Sequence, residues 1–204
     1  MTDIYIVRHG NTFDKGDTVT RVGARTDLPL SQSGQAQADK LATHFRSIAP
    51  EGFDVVFCSA LQRTRQTAAP ILRACGSRRG LQVLDFLREV DYGPDENQPE
   101  DQVIARIGAA ALEAWDKDAV PPPGWDVEPD NIIAEWASLL NTLSGPQSFL
   151  PVLIVTSNGI ARFVLDVVLK FQCQPDSIKL KTGAFGLIRT DEAGATLVEW
   201  NVRP

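Results

Sequence analysis

The feature that most constrains the fold is an alternation of short apolar runs with longer amphipathic patterns. The apolar runs cover residues 4–7, 54–58, 83–87 and 152–156. Between them, apolar side chains recur every three to four positions, as they do in helices. Parallel strands need long crossover connections, which are usually helical. The alternation therefore predicts an α/β fold with a mostly parallel central sheet flanked by helices.

The helical patterns are clear enough to be placed. Ser31 is an N-cap residue for a helix that places Ala38, Leu41 and Phe45 on one face. An almost entirely apolar segment late in the chain predicts a buried helix. The four predicted helices cover residues 31–48, 61–75, 132–143 and 160–169.

Two segments depart from the alternation. Apolar runs at 184–190 and 196–202, joined by an Asp-Glu-Ala-Gly turn, predict a hairpin at the end of the chain. Residues 94–130 are acidic, contain the sequence PPPGW and carry one amphipathic pattern at 103–115. A long segment of this kind predicts a small cap insertion over the sheet edge. Because no linker or repeat interrupts the chain, residues 1–204 are predicted to form a single domain that includes the cap.

The amino-acid composition limits the kinds of partner and the cellular location that we expect for the protein. The net charge is −6 and no segment is dominated by basic residues, which argues against binding to nucleic acid or an anionic membrane. Cys58, Cys75 and Cys173 are odd in number and lack the spacing of metal ligands, which predicts reduced thiols. The first apolar run begins almost at Met1, and no run is long enough to span a membrane. We therefore expect a cytoplasmic protein, and its oligomeric state stays open.

One of the two histidines stands where the first apolar run ends. His9 lies between Arg8 and Gly10, at the predicted carboxyl end of a strand. In open α/β sheets, ligands bind at this edge. Arg63 opens a helix directly after a strand, Glu89 follows the next run, and Ser157 follows the fourth. These side chains are predicted to surround one crevice that binds an anion.

Order and spacing of these residues resemble the histidine phosphatase superfamily, the phosphoglycerate mutase-like fold. The resemblance covers nearly the whole chain and rests on five stretches and the closing hairpin. These stretches read VRHGNT, ARTDLPLSQSGQAQA, CSALQRTRQTA, REVDYG and LIVTSNGIAR.

The resemblance implies a role for each matched residue. His9 would attack phosphorus and form a phosphohistidine, while Arg8 and Arg63 would hold the phosphoryl oxygens and lower the pKa of His9. Glu89 would protonate the leaving alkoxide and later activate water. The implied activity is hydrolysis of a small phosphorylated substrate, and it requires no metal or other cofactor. Asn11 and Asn158 would contact substrate, although backbone capping at turns accounts for them equally well.

The chain departs from the family pattern at three places. The family has a second histidine, which donates to the phosphoryl group, where this chain has Ser157. His44 lies inside a predicted helix and cannot replace it. Asp14 and Lys15 stand just after the nucleophile, where many members have Trp-Asn, and Lys15 could return a cation to the pocket. Ala24 replaces a glycine, but the Arg25 that follows it is retained as a candidate substrate contact.

Two other functions remain open at this stage. The loss of the second histidine also fits a catalytically weak or inactive protein that binds a phosphoester and has a regulatory role. A phosphoglycerate-type mutase is the other alternative, but mutases of the family are usually longer. The cap at 94–130 would set substrate identity, and its acidic rim is expected to disfavour very anionic ligands.

Overall fold

The computed structural model describes residues 1–144 and 150–204, and it has an α/β fold with a central mixed sheet. The strand order is β3-β2-β4-β1-β6-β7-β5. The pairs β1/β4, β4/β2, β2/β3 and β5/β7 are parallel, whereas β1/β6 and β6/β7 are antiparallel. The strands are β1 (Thr2–Arg8), β2 (Val56–Cys58), β3 (Leu81–Val83), β4 (Val152–Thr156), β5 (Lys170–Phe171), β6 (Phe185–Asp191) and β7 (Gly194–Val202). The predicted α/β class and closing hairpin are confirmed.

Helices cover both faces of this sheet. The first begins where the hydroxyl of Ser31 accepts a hydrogen bond from the Gly34 amide, and its buried side chains pack with Ile71 of the second helix. The opposite face of the sheet packs against a separate cluster that contains Trp115 and Trp136. The helices are α1 (Gln32–Ile48), α2 (Gln62–Cys75), α3 (Glu100–Ile107), α4 (Ala109–Asp118), α5 (Pro129–Leu143) and α6 (Asn158–Ala161).

Three element predictions were wrong in their bounds. The strand expected at 83–87 is the edge strand Leu81–Val83, followed by a 3₁₀ turn at Asp85–Leu87 that buries Leu87. The helix expected at 103–115 is two helices, because Gly108 has a φ of +83° between them. The helix expected at 160–169 is one α turn followed by a 3₁₀ helix, Arg162–Val167.

The register brings the carboxyl ends of four strands to one edge. Arg8 pairs with Thr156, and Cys58 pairs with both Val155 and Val83. The Thr156 hydroxyl also donates a hydrogen bond of 2.7 Å to the Leu87 carbonyl, which fixes the chain that leads to Glu89. In the described part of the chain, every helix is too short or too polar to cross a bilayer.

Candidate active site

His9 is held at the end of β1 by contacts on both sides. Its backbone amide donates to the Thr156 carbonyl at 3.1 Å. Its Nδ1 lies 2.7 Å from the Gly10 carbonyl, and because a carbonyl can only accept, Nδ1 carries the proton. Nε2 therefore keeps its lone pair. A Cβ at position 10 would overlap the backbone of Gly34 in α1, so only glycine permits this close packing.

Arg63 fixes the other nitrogen of the imidazole. Its fully buried side chain enters from the first turn of α2 and places Nε 3.2 Å from His9 Nε2. The rest of the guanidinium donates to the carbonyls of Thr26 at 2.9 Å and Gly23 at 3.1 Å. Every nitrogen of this guanidinium is thus committed to a contact, and the side chain has one orientation.

The surroundings of His9 keep it neutral. Burial lowers the pKa of His9 well below its ordinary 6.5, and the positive charges of Arg63 and Arg8 lower it further. The hydrogen bond to the Gly10 carbonyl opposes this shift. An imidazole that is neutral near pH 7, with a free lone pair on Nε2, is chemically a nucleophile.

Arg8 and Glu89 complete the group around His9. Arg8 Nη1 donates to the Leu180 carbonyl at 2.8 Å, but its buried Nε has no hydrogen-bond partner among the described residues. Glu89 is buried and uses one carboxylate oxygen to accept from the Val90 amide at 3.0 Å. A Cβ at Gly159 would overlap the Glu89 carboxylate, so glycine here lets the acid approach α6. The structure therefore offers a nucleophile, cations and an acid in one place.

Ser157 and Asn158 follow β4 at the same edge. Ser157 is fully buried, and its hydroxyl has no hydrogen-bond partner in the described ranges. It does not cap α6 with its side chain. Asn158 accepts from the Leu180 amide at 2.8 Å, so it braces the same segment that receives Arg8. The serine hydroxyl is thus left with its hydrogen-bonding capacity unused.

Of the remaining residues predicted from sequence, one lies at the site and two lie outside it. Asn11 donates to Ser33 at 3.0 Å and accepts from Thr182 at 2.5 Å, at the mouth of the site. Lys15 is exposed and outside the site, because Asp14 binds the amides at the start of α1 and turns the loop outward. Arg25 is also exposed and is paired with Asp91 at 2.7 Å. The structure brings Asn11 to the site and does not bring Lys15 or Arg25.

A cavity of about 510 Å³ opens at this edge, and we term it the strand-edge cavity. Arg8, His9, Asn11, Glu89 and Asn158 line it. Ser157 and Arg63 are not among its lining residues. Thirteen further residues of the described ranges line it that sequence reasoning did not assign to the site, among them Arg21, Tyr92, Trp115, Asp116, Arg162 and Lys179.

Arg162 had a sequence signal, since it is a charged residue inside the apolar run GIARFV. The predicted cap segment at 94–130 reaches the cavity through Glu100, Trp115 and Asp116. A larger cavity of about 800 Å³, between α4 and residues 175–179, shares Glu100, Asp116 and Lys179 with it but contains no strand-end residue. No cluster of three or more metal-binding side chains is found within residues 1–144 and 150–204.

Known sequences match most of the chain. A family model described as Histidine phosphatase superfamily (branch 1) matches residues 4–203. A Salmonella typhi protein named "Probable phosphoglycerate mutase GpmB" is 31% identical over 168 residues, covering 79% of this chain and 71% of that protein. The protein of the same name from Enterobacter sp. (strain 638) is 31% identical over 164 residues, with the same coverage.

Solved structures share the fold. Mycobacterial glucosyl-3-phosphoglycerate phosphatase, in complex with VO3, has a TM-score of 0.79 at 18% identity, covering 99% of this chain and 100% of that chain. Alpha-ribazole phosphatase from Shigella flexneri has a TM-score of 0.72 at 22% identity, covering 99% and 97%. At these identities the likeness concerns the fold alone. The near-complete family match and the sequence relatives together show that the chain belongs to the histidine phosphatase superfamily, branch 1.

Proposed function

We propose that the protein hydrolyses a small phosphomonoester through a phosphohistidine formed on Nε2 of His9. The observation that carries the proposal is the hydrogen bond of 2.7 Å between Nδ1 and the Gly10 carbonyl. It assigns the proton to Nδ1 and directs the lone pair of Nε2 toward Arg63, beside the strand-edge cavity. Membership of the histidine phosphatase superfamily supports the same assignment.

In the first step, His9 Nε2 attacks phosphorus while the ester oxygen leaves. A P–N bond forms, the P–O bond to the leaving group breaks, and Glu89 gives its proton to the departing alkoxide. As the P–N bond forms, the lone pair of Nε2 is used and Arg63 Nε, held in place by the carbonyl contacts of its other nitrogens, donates to a phosphoryl oxygen instead. Arg8 contributes its unpartnered Nε to the same group. Fixed positive charge at the transferring phosphoryl group is the main source of rate in such reactions.

In the second step, water attacks phosphorus and regenerates the enzyme. Glu89, now ionised, accepts a proton from the attacking water. The P–N bond breaks, and its electron pair returns to Nε2 of His9. Inorganic phosphate is the product, and no oxidant, reductant or further reactant is consumed.

Ser157 makes this reaction slower than in relatives with a second histidine. A neutral hydroxyl donor lacks the extra strength of a charged one, which is worth roughly 1 to 2 kcal/mol. The corresponding rate penalty is about 5- to 30-fold. The unused hydrogen-bonding capacity of the Ser157 hydroxyl is consistent with donation to a bound phosphoryl oxygen or to water that bridges to it.

A mutase is the second candidate, because the Salmonella typhi protein that is 31% identical carries a mutase name. A mutase also forms phosphohistidine but returns the phosphoryl group to an alcohol. Product analysis separates the two: a phosphatase releases inorganic phosphate in step with alcohol, whereas a mutase yields an isomeric phosphoester. We expect inorganic phosphate.

The test of the proposal is to trap the intermediate. Rapid quench with ³²P-labelled phenyl phosphate is expected to give an acid-labile label on His9. His9→Ala should abolish both label and turnover, and His44→Ala is the matched control because His44 packs against Phe45 and Phe185, away from the cavity. Label on Ser157 or Cys58, or turnover by His9→Ala, would overturn the mechanism. Binding without turnover across a panel of phosphomonoesters would favour the binding-protein alternative.

A further inference from the structure

Glu96 is the third residue of the predicted cap segment, and its carboxylate binds a loop that belongs to the core. One oxygen, Oε1, accepts hydrogen bonds from the Gly23 amide at 3.1 Å, the Arg25 amide at 2.9 Å and the Thr26 hydroxyl at 2.8 Å. The other oxygen accepts from the Tyr92 amide at 3.2 Å. Within the described ranges, no basic side chain forms an ion pair with this carboxylate. Its printed partners are therefore all neutral donors, and most of them belong to one loop.

The backbone carbonyls of the same loop hold Arg63, and we term residues 23–26 the Arg63 cradle. The guanidinium donates to the Thr26 carbonyl at 2.9 Å and to the Gly23 carbonyl at 3.1 Å. Thr26 and Gly23 are also two of the three residues that donate to Glu96. Each of them therefore links the carboxylate to the guanidinium.

The cradle is packed closely against the segment that carries Glu96. A Cβ at Gly23 would overlap both the Glu96 carboxylate and the Val90 carbonyl, so only glycine lets the loop approach this far. The Ala24 amide donates to the Val90 carbonyl at 3.0 Å. Hydrogen bonds to an ionised acceptor are roughly twice as strong as those between neutral groups. We therefore expect the half-buried carboxylate to contribute much of what fixes the cradle.

Glu96 can affect the chemistry only through other groups. Neither Glu96 nor any member of the Arg63 cradle is among the residues that line the strand-edge cavity. Arg63 Nε, in contrast, lies 3.2 Å from Nε2 of His9, the proposed attacking atom. A chain of hydrogen bonds thus runs from the Glu96 carboxylate through the cradle and Arg63 to the imidazole.

Arg63 and Arg8 both act on the charge of His9, and only Arg63 is held by the cradle. Burial lowers the pKa of His9, and the charges of Arg63 and Arg8 lower it further. Arg8 is anchored elsewhere, at the Leu180 carbonyl. Glu89 lines the same cavity but does not belong to the cradle. A change in the cradle should therefore reach the pKa of His9 through Arg63.

We propose that Glu96 is a positioning residue for phosphoryl transfer, because it shapes the cradle that keeps Arg63 Nε against His9 Nε2. The proposal rests on the phosphatase activity proposed above. What matters is the acceptor capacity of Oε1, not the negative charge itself. Because the amide oxygen of glutamine also accepts hydrogen bonds, glutamine should replace Glu96 and alanine should not.

The protonation of His9 in the free protein reports the position of Arg63 without any substrate. The chain has two histidines, so their imidazole ¹⁵N resonances can be assigned with His9→Gln and His44→Gln. The wild-type pKa of His9 is expected well below 6.5. In Glu96→Ala it should rise toward 6.5, because the guanidinium is no longer held against the ring. Removal of a negative charge alone would instead lower this pKa.

Turnover gives the second measurement. Glu96→Ala is expected to lower kcat by about 10- to 100-fold, as for a misplaced donor, whereas Glu96→Gln should stay within about threefold of the wild type and should not raise the pKa of His9. Arg88→Ala is the matched control. Arg88 Nε donates to the Ala24 carbonyl at 2.7 Å, in the same loop, but Ala24 is hydrogen-bonded to neither Glu96 nor Arg63. This variant should leave both measurements close to those of the wild type.

Circular dichroism and urea midpoints show which variants fold. If Glu96→Ala does not fold, Thr26→Val decides, because it removes one donor to Glu96 and keeps the carbonyl that holds Arg63. It should raise the pKa of His9 by a smaller amount. An unchanged or lowered pKa of His9 in the folded variant, or equal effects of Glu96→Ala and Glu96→Gln, would reduce Glu96 to a structural residue. If the wild type turns over no phosphomonoester, the phosphatase proposal fails, whereas the titration still decides the role of Glu96.

Discussion

The chain turns directly after β1 and directly after β4 at the same sheet edge, and the two turns differ in how their polar groups are used. In the turn after β1, both ring nitrogens of His9 have a partner, and the Gly10 amide donates to the Thr67 hydroxyl at 3.1 Å. In the turn after β4, the Ser157 hydroxyl has no partner within the described ranges. The first turn is therefore fully organised before ligand arrives, whereas the second has a donor left over for it. In the proposed mechanism, His9 would therefore be positioned by the protein alone, whereas the Ser157 hydroxyl would gain its partner only from the substrate.

Substitution of the glycine in each turn should affect a different property, stability in the first turn and turnover in the second. Gly10→Ala places a Cβ against the backbone of Gly34, which cannot rotate away, so we expect the free energy of unfolding to fall by about 1 to 3 kcal/mol or more. Gly159→Ala places a Cβ against the Glu89 side chain, so the fold should persist while the displaced acid costs about 100-fold in turnover.

Urea midpoints and kcat on an alkyl and an aryl phosphate measure both effects. The loss in Gly159→Ala should be greater for the alkyl ester, because an aryl oxide needs little protonation to leave. Equal losses on the two esters would mean that Glu89 is not the leaving-group acid. An unchanged midpoint in Gly10→Ala would contradict the close packing of the first turn.

Substitutions of Ser157 test whether a donor at this position acts on the bound phosphoryl group. Ser157→His should raise turnover by up to about tenfold, because a charged donor acts mainly in the transition state. The gain should fade as pH rises through the pKa of the new imidazole. Ser157→Ala should leave the urea midpoint nearly unchanged, since the hydroxyl makes no hydrogen bond to the described residues that would be lost.

Lys15→Ala is the control for this experiment, because Lys15 is exposed and outside the cavity. It is expected to change turnover by less than about twofold, as for a surface charge. A fall in turnover in Ser157→His combined with a large loss in Lys15→Ala would contradict the placement of Lys15. It would mean that Lys15 already supplies the second cation.

The last effect is the contribution of His9 to the dependence of stability on pH, which the second turn does not share because Ser157 and Asn158 do not titrate. The folded pKa of His9 is lowered, so between this pKa and about 6.5 the unfolded chain binds more protons than the folded chain. The contribution of His9 to stability is thus complete above pH 6.5 and is lost as pH falls, by at most about 1.4 kcal/mol per pH unit.

Urea midpoints at pH 5 and 7.5 test this for the wild type, His9→Gln and the control His44→Gln. His9→Gln should lose less stability on acidification than the wild type, and His44→Gln should behave like the wild type. An identical pH dependence in all three would show that His9 titrates normally. The acid limb of kcat/KM that belongs to His9 is expected below pH 6.5 for the same reason.

Strand-end residues were the part of the site that sequence could predict. His9 and Arg8 directly end an apolar run, and the register of parallel strands then fixes which edge they share with Ser157. Glu89 was found as well, although the strand expected before it ends at Val83 and is followed by a 3₁₀ turn. The hydrogen bond from the Thr156 hydroxyl to the Leu87 carbonyl fixes the segment before Glu89 beside β4, as pairing with a strand would have done.

Loop residues and buried charges could not be placed in this way. Lys15 and Arg25 lie in a loop whose direction depends on the bonds of Asp14 to α1 and of Arg25 to Asp91, and no local pattern encodes such distant contacts. Arg162 was missed for the opposite reason. An apolar run predicts a buried helix, and the single charge within it is hidden by the hydrophobic residues that bury it.

Leu180 joins the two turns through its backbone. Its carbonyl accepts from Arg8 and its amide donates to Asn158, and its side chain is fully buried. The hydrogen-bond partner of Arg8 and of Asn158 is thus outside both turns, at residue 180. During synthesis from the N-terminus, therefore, the first strand emerges early but the guanidinium of Arg8 gains its anchor only after residue 180 has docked. A shortened chain that ends before this residue would lose β6 and β7 together with the carbonyl that holds the guanidinium of Arg8.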